Sequence, residues 1–135
     1  MRIDTVTAVV TGAAQGLGRC FALELARAGA RVMAGDIQAD GLGTLAEEAR
    51  GLAGRVETMA LDVTQEASVR GFLGETAARL GTPNLLVNNA GILRDGVLAL
   101  REEDGFVRKM PSVQWKSVIE TNLTGCYVMA REVVS

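Results

Sequence analysis

The sequence predicts an α/β fold: a doubly wound parallel sheet with helices on both faces. Two observations lead there. Four short, apolar, strand-like stretches alternate with helical patterns of about 10–15 residues, and strands joined by helices pair in parallel through right-handed crossovers. Three glycines, Gly12, Gly16 and Gly18, also fall between the first strand-like stretch and the first helical one.

Residues 5–10 (TVTAVV) form a β-branched run that stops at glycine, as a strand covered on both faces would. From 16 to 28 the apolar residues Leu17, Phe21, Leu25 and Ala28 recur at helical spacing, and Gly29 ends the pattern. Residues 30–36 (ARVMAGD) give the second strand. Leu42, Leu45, Ala49 and Leu52 mark one face of an amphipathic helix over 42–52. The third strand is 55–63 (RVETMALDV), and 66–80 is a third helix with Val69, Phe72, Leu73 and Leu80 inward. Thr82 and Pro83 break that helix, and 84–91 (NLLVNNAG) supplies the fourth strand with its exit loop. Asp104-Gly105, flanked by apolar residues, signals a β-hairpin excursion over 97–110, since a tight turn needs positive φ. After Pro111 a long helical pattern runs over 112–135 and contains Trp115, Val118, Ile119, Leu123, Tyr127 and Val128. The whole chain is expected to be one domain.

Fourteen basic against sixteen acidic residues give a net charge of −2, which argues against nucleic-acid or membrane-surface partners held by bulk charge. The chain has no start resembling a signal peptide and no run of about 18 apolar residues, so a cytoplasmic location is expected. With no histidine in the sequence, His-based nucleophilic catalysis is excluded. Cys20 and Cys126 lack metal-ligand spacing, so no metal site is expected, and both are taken as buried, reduced thiols.

The glycine spacing G-x-x-x-G-x-G opens a helix directly after a strand. A helix N-terminus presents unpaired N–H groups and about half a positive charge, so a pyrophosphate can bind there if no Cβ blocks its approach. Gly12 would turn the chain out of the strand, Gly16 would let backbone and phosphate meet, and Gly18 would let the helix lie close to the sheet. Strand termination and close packing alone would also explain such glycines. Asp36 adds to the case: it closes the second strand, where a carboxylate can accept hydrogen bonds from adenosine ribose hydroxyls and would repel a 2′-phosphate. It therefore favours NAD over NADP. Asp62 and Asn89-Ala90-Gly91 complete a row of polar or small residues at the carboxyl edge of the sheet, where ligands of open parallel sheets bind. One of Asn88 and Asn89 is expected to face ligand while the other ties a loop to the sheet.

Together TGAAQGLG (11–18), Asp36, LDV (61–63), NNAG (88–91) and TNLTG (121–125) resemble the short-chain dehydrogenase/reductase family, within it the 3-oxoacyl-carrier-protein reductases. The resemblance runs over essentially all 135 residues and implies a Rossmann-like fold. It implies that Gly12, Gln15, Gly16, Leu17 and Gly18 cradle the pyrophosphate of NAD. Asp36 and Ile37 would face the adenosine ribose, Asp62 and Val63 the adenine, and Asn89, Ala90 and Gly91 the middle of the dinucleotide. Asn122 matches the family's catalytic asparagine, which holds a water in a proton relay. Members move a hydride between nicotinamide and a small-molecule hydroxy or oxo substrate, an acyl thioester being one class, and pair as homo-oligomers through the helix at 112–135.

The family's Tyr-x-x-x-Lys pair lies on later elements, after a fifth strand, whereas this sequence stops at Ser135. The 135 residues alone are accordingly expected to be inactive and to supply the cofactor-binding half. Tyr127 and Arg131 imitate the spacing, but an arginine with pKa above about 12 cannot serve as a titrating lysine, and Tyr127 is expected to pack. In strand order 3-2-1-4 the fourth strand forms an edge despite its apolar LLV, which calls for cover by further sequence or a partner. The alternative function is a non-catalytic nucleotide-binding or assembly module.

Overall fold

Side chains alternate across a strand, and here the alternation builds two cores. In β1 (Thr7–Thr11), Ala8 and Val10 join one buried cluster while Val9 joins the other. In β2 (Arg31–Asp36), Val32 and Ala34 take the first face and Met33 the second. The first face is covered by α1 (Gly16–Arg27) and α2 (Ala39–Glu48) through Ala22, Leu23, Ala26 and Leu45. The second is covered by α3 (Glu66–Leu80) and α5 (Gly125–Val133) through Val69, Phe72, Val128 and Met129. The computed structural model that gives this arrangement describes residues 2–134.

β3 (Arg55–Ala60) and β4 (Leu85–Val87) complete a parallel sheet in the order β3-β2-β1-β4, as the sequence predicts. Thr7 stands opposite Arg31, Ala8 opposite Leu85, and Arg31 opposite Arg55. β5 (Ala99–Arg101) and β6 (Val107–Lys109) pair antiparallel as a separate ribbon, with Gly105 at φ +88° in its turn. α4 (Ser112–Ile119) follows, and a π-helical segment, Glu120–Thr124, links it to α5.

Several expectations need correction. The first strand starts at Thr7, because Ile3–Thr5 winds into a 3₁₀ turn in which the Arg2 carbonyl takes the Thr5 amide and the Ile3 carbonyl the Val6 amide. The second helix is Ala39–Glu48, earlier than 42–52. The third strand stops at Ala60, with Leu61 and Val63 packing into the core beyond its end. The helix at 112–135 is interrupted by the π-helical segment, and Ser135 lies outside the described residues.

Of the expected apolar stripe of the first helix, Leu25 packs partly against the core but Leu17 and Phe21 face away from it. Leu17 is 68% exposed and Phe21 is also exposed, while Gly18, Ala22 and Ala26 are buried. With Leu23 buried beside them, the small residues Gly18, Ala22 and Ala26 let this helix approach the sheet closely, while Leu17 and Phe21 stay outside. Cys20 lies on the same outer side, exposed rather than buried, and Cys126 is half-buried. The LLV strand is half-buried throughout, since β4 has a neighbour on one side only.

At the foot of the sheet, Asn84 accepts from the Thr7 amide at 2.9 Å and donates to the Thr5 carbonyl at 3.1 Å. Arg131 bridges α5 to α3 through Glu66 at 3.1 Å, and with Arg70 it holds the Glu66 carboxyl below the usual carboxylate range. Within the described residues no helix is long and apolar enough to cross a membrane.

The helices also carry removable weak points. Gly74 sits inside α3 with nothing within 4 Å of the place a Cβ would take. Gly74→Ala is expected to raise stability by about 0.5–1 kcal/mol, the helix-propensity difference, read as a higher denaturation midpoint with an unchanged slope.

Candidate functional site

The strand β1 ends in a corner that only glycine permits. Gly12 has φ +65°, and a Cβ there would lie 2.8 Å from the Ala90 Cα. Gly18, in the first turn of α1, passes so near this corner that its Cβ would fall 2.1 Å from the Gly12 carbonyl oxygen and 2.5 Å from Asn89 Nδ2. Gly16 differs from both. It has φ +58°, yet its Cβ direction opens onto space with nothing within 4 Å. Gln15, the residue that caps α1, makes no side-chain hydrogen bond to the helix. The N-terminus of α1 thus offers its amides to whatever occupies that space.

Thr11 and Asn89 hold the corner in place. The buried Thr11 hydroxyl accepts the amides of Asn89 at 3.0 Å and Ala90 at 2.9 Å. In return, Asn89 Nδ2 donates to the carbonyls of Thr11 at 3.2 Å and Gly12 at 3.1 Å. Asn88 donates to the Cys126 carbonyl at 3.4 Å, so both asparagines tie elements together, and Asn89 lines the cleft as well.

Asp36 is only 8% exposed. Its Oδ2 accepts the Ala14 amide at 2.9 Å and its Oδ1 the Gln38 amide at 3.0 Å, which locks the glycine loop to the end of β2. A carboxylate has about four lone-pair sites, so capacity remains for two further donors. Asp62 accepts the amide and hydroxyl of Thr64 at 2.9 and 2.7 Å, and its own amide donates to Ser68.

These groups line one cleft of about 630 Å³. It brings together Gly12, Gln15, Gly16, Asp36, Ile37, Asp62, Val63, Asn89, Ala90 and Gly91 of the sequence-predicted set. Leu17, Gly18 and Asn122 do not line it: Leu17 faces outward, and Gly18 is buried behind the corner. Asn122 stands behind the wall. Its Nδ2 donates to the Ile92 carbonyl at 2.9 Å and its Oδ1 accepts the Ile92 amide at 2.8 Å, so both ends of the carboxamide bracket one residue of the loop after β4. Asn122→Ala is expected to cost about 2 kcal/mol, from two hydrogen bonds lost with backbone partners left half-buried, and to speed hydrogen exchange at the Ile92 amide.

The cleft also uses residues to which sequence reasoning assigned no role: Ile92, Arg94, Ser117, Glu120 and Thr121. The last three recur at helical spacing just before Asn122, a polar stripe that could have signalled a wet face. Tyr127 and Arg131 lie elsewhere. The Arg131 guanidinium stacks 5.4 Å from the centroid of the exposed Tyr127 ring. Tyr127, then Glu132 and Glu66, bind the Arg131 proton more firmly still, so Arg131 cannot take the part of a titrating lysine near neutral pH.

A family model described as short chain dehydrogenase matches residues 6–135. The chain is 37% identical over 135 residues to the 3-oxoacyl-[acyl-carrier-protein] reductase FabG of Thermotoga maritima, covering 99% of this chain and 51% of that protein. A D-threitol dehydrogenase of Mycolicibacterium smegmatis is 37% identical over 132 residues, covering 98% and 47%. Among solved structures, an actinorhodin polyketide ketoreductase variant with NADPH matches with a TM-score of 0.87 at 28% identity, over 98% of this chain and 48% of that one. The chain therefore spans about half the length of the curated relatives it matches. With the predicted strand order, the glycine corner at the carboxyl edge and a family match across nearly every residue in agreement, the chain belongs to the short chain dehydrogenase family.

Proposed function

We propose that the cleft binds a nicotinamide dinucleotide, NAD(H) in preference to NADP(H), and that the chain supplies the cofactor-binding half of an oxidoreductase acting on a hydroxy or oxo carbon. The observation that carries this is the open Cβ direction of Gly16 at the uncapped start of α1, facing one cleft with Asp36. A pyrophosphate needs bare amides and no side chain in its path, and both conditions are met there. When bound, the nicotinamide supplies or accepts the hydride.

The remaining work falls to the chain's own groups. The Asp36 carboxylate, fixed by two backbone amides, accepts ribose hydroxyls and repels a 2′-phosphate. Asp62 and Val63 form the wall for the adenine, and Asn89-Ala90-Gly91 the floor between the two ends. Asn122 contributes by holding Ile92 and hence the loop beside the reacting carbon. Relatives named as 3-oxoacyl-[acyl-carrier-protein] reductases support an oxo substrate, an acyl thioester being one class. The ketoreductase neighbour holds NADPH; the buried Asp36 carboxylate is the reason to place NAD first here. Exposed Trp115, Leu123 and Tyr127 along the last helix support pairing of two copies through it.

Calorimetry on the full protein tests the proposal. NAD is expected to bind at least about tenfold tighter than NADP, a gap of about 1.4 kcal/mol. No heat with either dinucleotide defeats the proposal, and tighter NADP binding reverses the cofactor assignment.

A further inference from the structure

Charge is unevenly distributed along the cleft. Among the described residues its ionisable lining consists of Asp36, Asp62, Glu120 and a single cation, Arg94. Asp36 closes β2, while Arg94 lies past the end of β4, on the other side of β1. The cationic end is therefore remote from the end assigned to the adenosine.

Arg94 is also held from both directions. Two residues before it, Ile92 is bracketed by Asn122. On its other side, Gln114 Nε2 of α4 donates to the carbonyls of Arg94 at 3.1 Å and Asp95 at 3.0 Å. The backbone of this loop is thus pinned to the last helix at two levels, one turn and more apart. The guanidinium itself is little used: Nη1 donates to the neighbouring Leu93 carbonyl at 3.1 Å, and Arg94 enters no ion pair among the described residues. Arg31 and Arg101 likewise enter no ion pair among the described residues, but neither lines the cleft. The remaining arginines behave differently. Arg2, Arg19, Arg27, Arg50, Arg55, Arg70, Arg79, Arg108 and Arg131 all pair with carboxylates.

We infer that Arg94 is a specificity-determining residue that anchors an anionic group of the substrate, a carboxylate or a phosphate, at the end of the cleft remote from Asp36. The inference rests on the cleft being a dinucleotide and substrate site. A planar guanidinium on a fixed backbone, with most of its donors open, matches either anion in a bidentate manner. Anchoring there holds the substrate by a group away from the reacting carbon, which is how remote binding contributes to orientation.

Phenylglyoxal modification of the full protein, followed peptide by peptide by mass spectrometry, reads Arg94 directly and without turnover. Acetoacetate or inorganic phosphate is expected to slow modification of Arg94 by about fivefold, as a charge-assisted pair would. Ethyl acetoacetate, which lacks the charge, is expected to leave the rate unchanged, and Arg50 and Arg101 should react alike throughout. Protection by acetoacetate alone assigns a carboxylate, and by phosphate alone a phosphate. Arg94 reacting at one rate under all conditions, or all arginines slowing equally, overturns the inference. A second measurement compares kcat/KM for acetoacetate with that for its ethyl ester. The ratio is expected to fall about tenfold in Arg94→Met and to recover in part in Arg94→Lys; an unaltered ratio in Arg94→Met overturns the inference as well. Calorimetry with NAD separates the two failures: absent NAD uptake sinks the cofactor proposal while the protection of Arg94 is still read.

Discussion

Gly18→Ala is expected to destabilise the protein by about 3 kcal/mol or more and to abolish dinucleotide binding. Overpacking one carbon into a filled site costs about 1–3 kcal/mol when flexible side chains can yield. Here the obstacle at 2.1 Å is the Gly12 carbonyl oxygen, a backbone atom that cannot swing aside. Moving it also disturbs the hydrogen bond it receives from Asn89 at 3.1 Å, worth about 1 kcal/mol. The same shift tilts the start of α1 away from the cleft, so binding fails with stability. Chemical denaturation and dinucleotide titration check both parts. Gly74→Ala is the matched control, with open space around its new methyl group. A Gly18→Ala protein as stable as its parent would mean that the corner and helix are less closely apposed than described.

Asp36→Ala is expected to act twice. Removing the carboxylate leaves the amides of Ala14 and Gln38 without acceptors, the first fully buried and the second partly so. The cost is about 1–3 kcal/mol for each, with the lower part of that range for the amide that water can reach. Loss of a charged acceptor for the ribose removes a further 1.5–3 kcal/mol or so of binding, an approximately 10- to 100-fold weaker NAD affinity. NADP, relieved of a like charge, loses less or gains, so the ratio of the two affinities narrows. Asp36→Asn separates the effects, since its carbonyl keeps one amide partner while the charge is gone. Calorimetry on both variants with both dinucleotides, beside a melting curve, tests this. An unchanged ratio in Asp36→Asn would place cofactor selection elsewhere.

The strand order and the two-faced core were legible because burial on both faces leaves runs such as TAVVT and RVMAGD that alternation distributes between two clusters. The helix pattern over 16–28 was legible as a helix but not in its orientation. Hydrophobicity pointed Leu17 and Phe21 inward, whereas close contact with the sheet selects Gly18, Ala22 and Ala26 by size. A polarity scale contains no term for that. The cleft residues named by motif were mostly brought together, since each sits at the carboxyl end of a strand whose place the order fixes. Arg94 and Ser117 were invisible because their positions depend on the loop after β4 being drawn against α4 by Gln114 and Asn122. Such long-range side-chain bonds leave no period in the sequence. Thr11 was hidden for a related reason: a buried strand threonine reads as β-branched filler until its hydroxyl is seen accepting two amides.

The π-helical turn at Glu120–Thr124 changes what a sequence edit would do there. An α-helix advances about 100° per residue, and a π turn carries one residue more than the regular spiral. Excising a single residue from this turn would let the rod run as regular α-helix with the segments on either side keeping nearly their present facing, because the wide turn is where the extra residue is taken up. Gln114 would then stay on the loop it holds, so a shortening usually fatal to a helix packed on a sheet would here preserve both the rod and its grip.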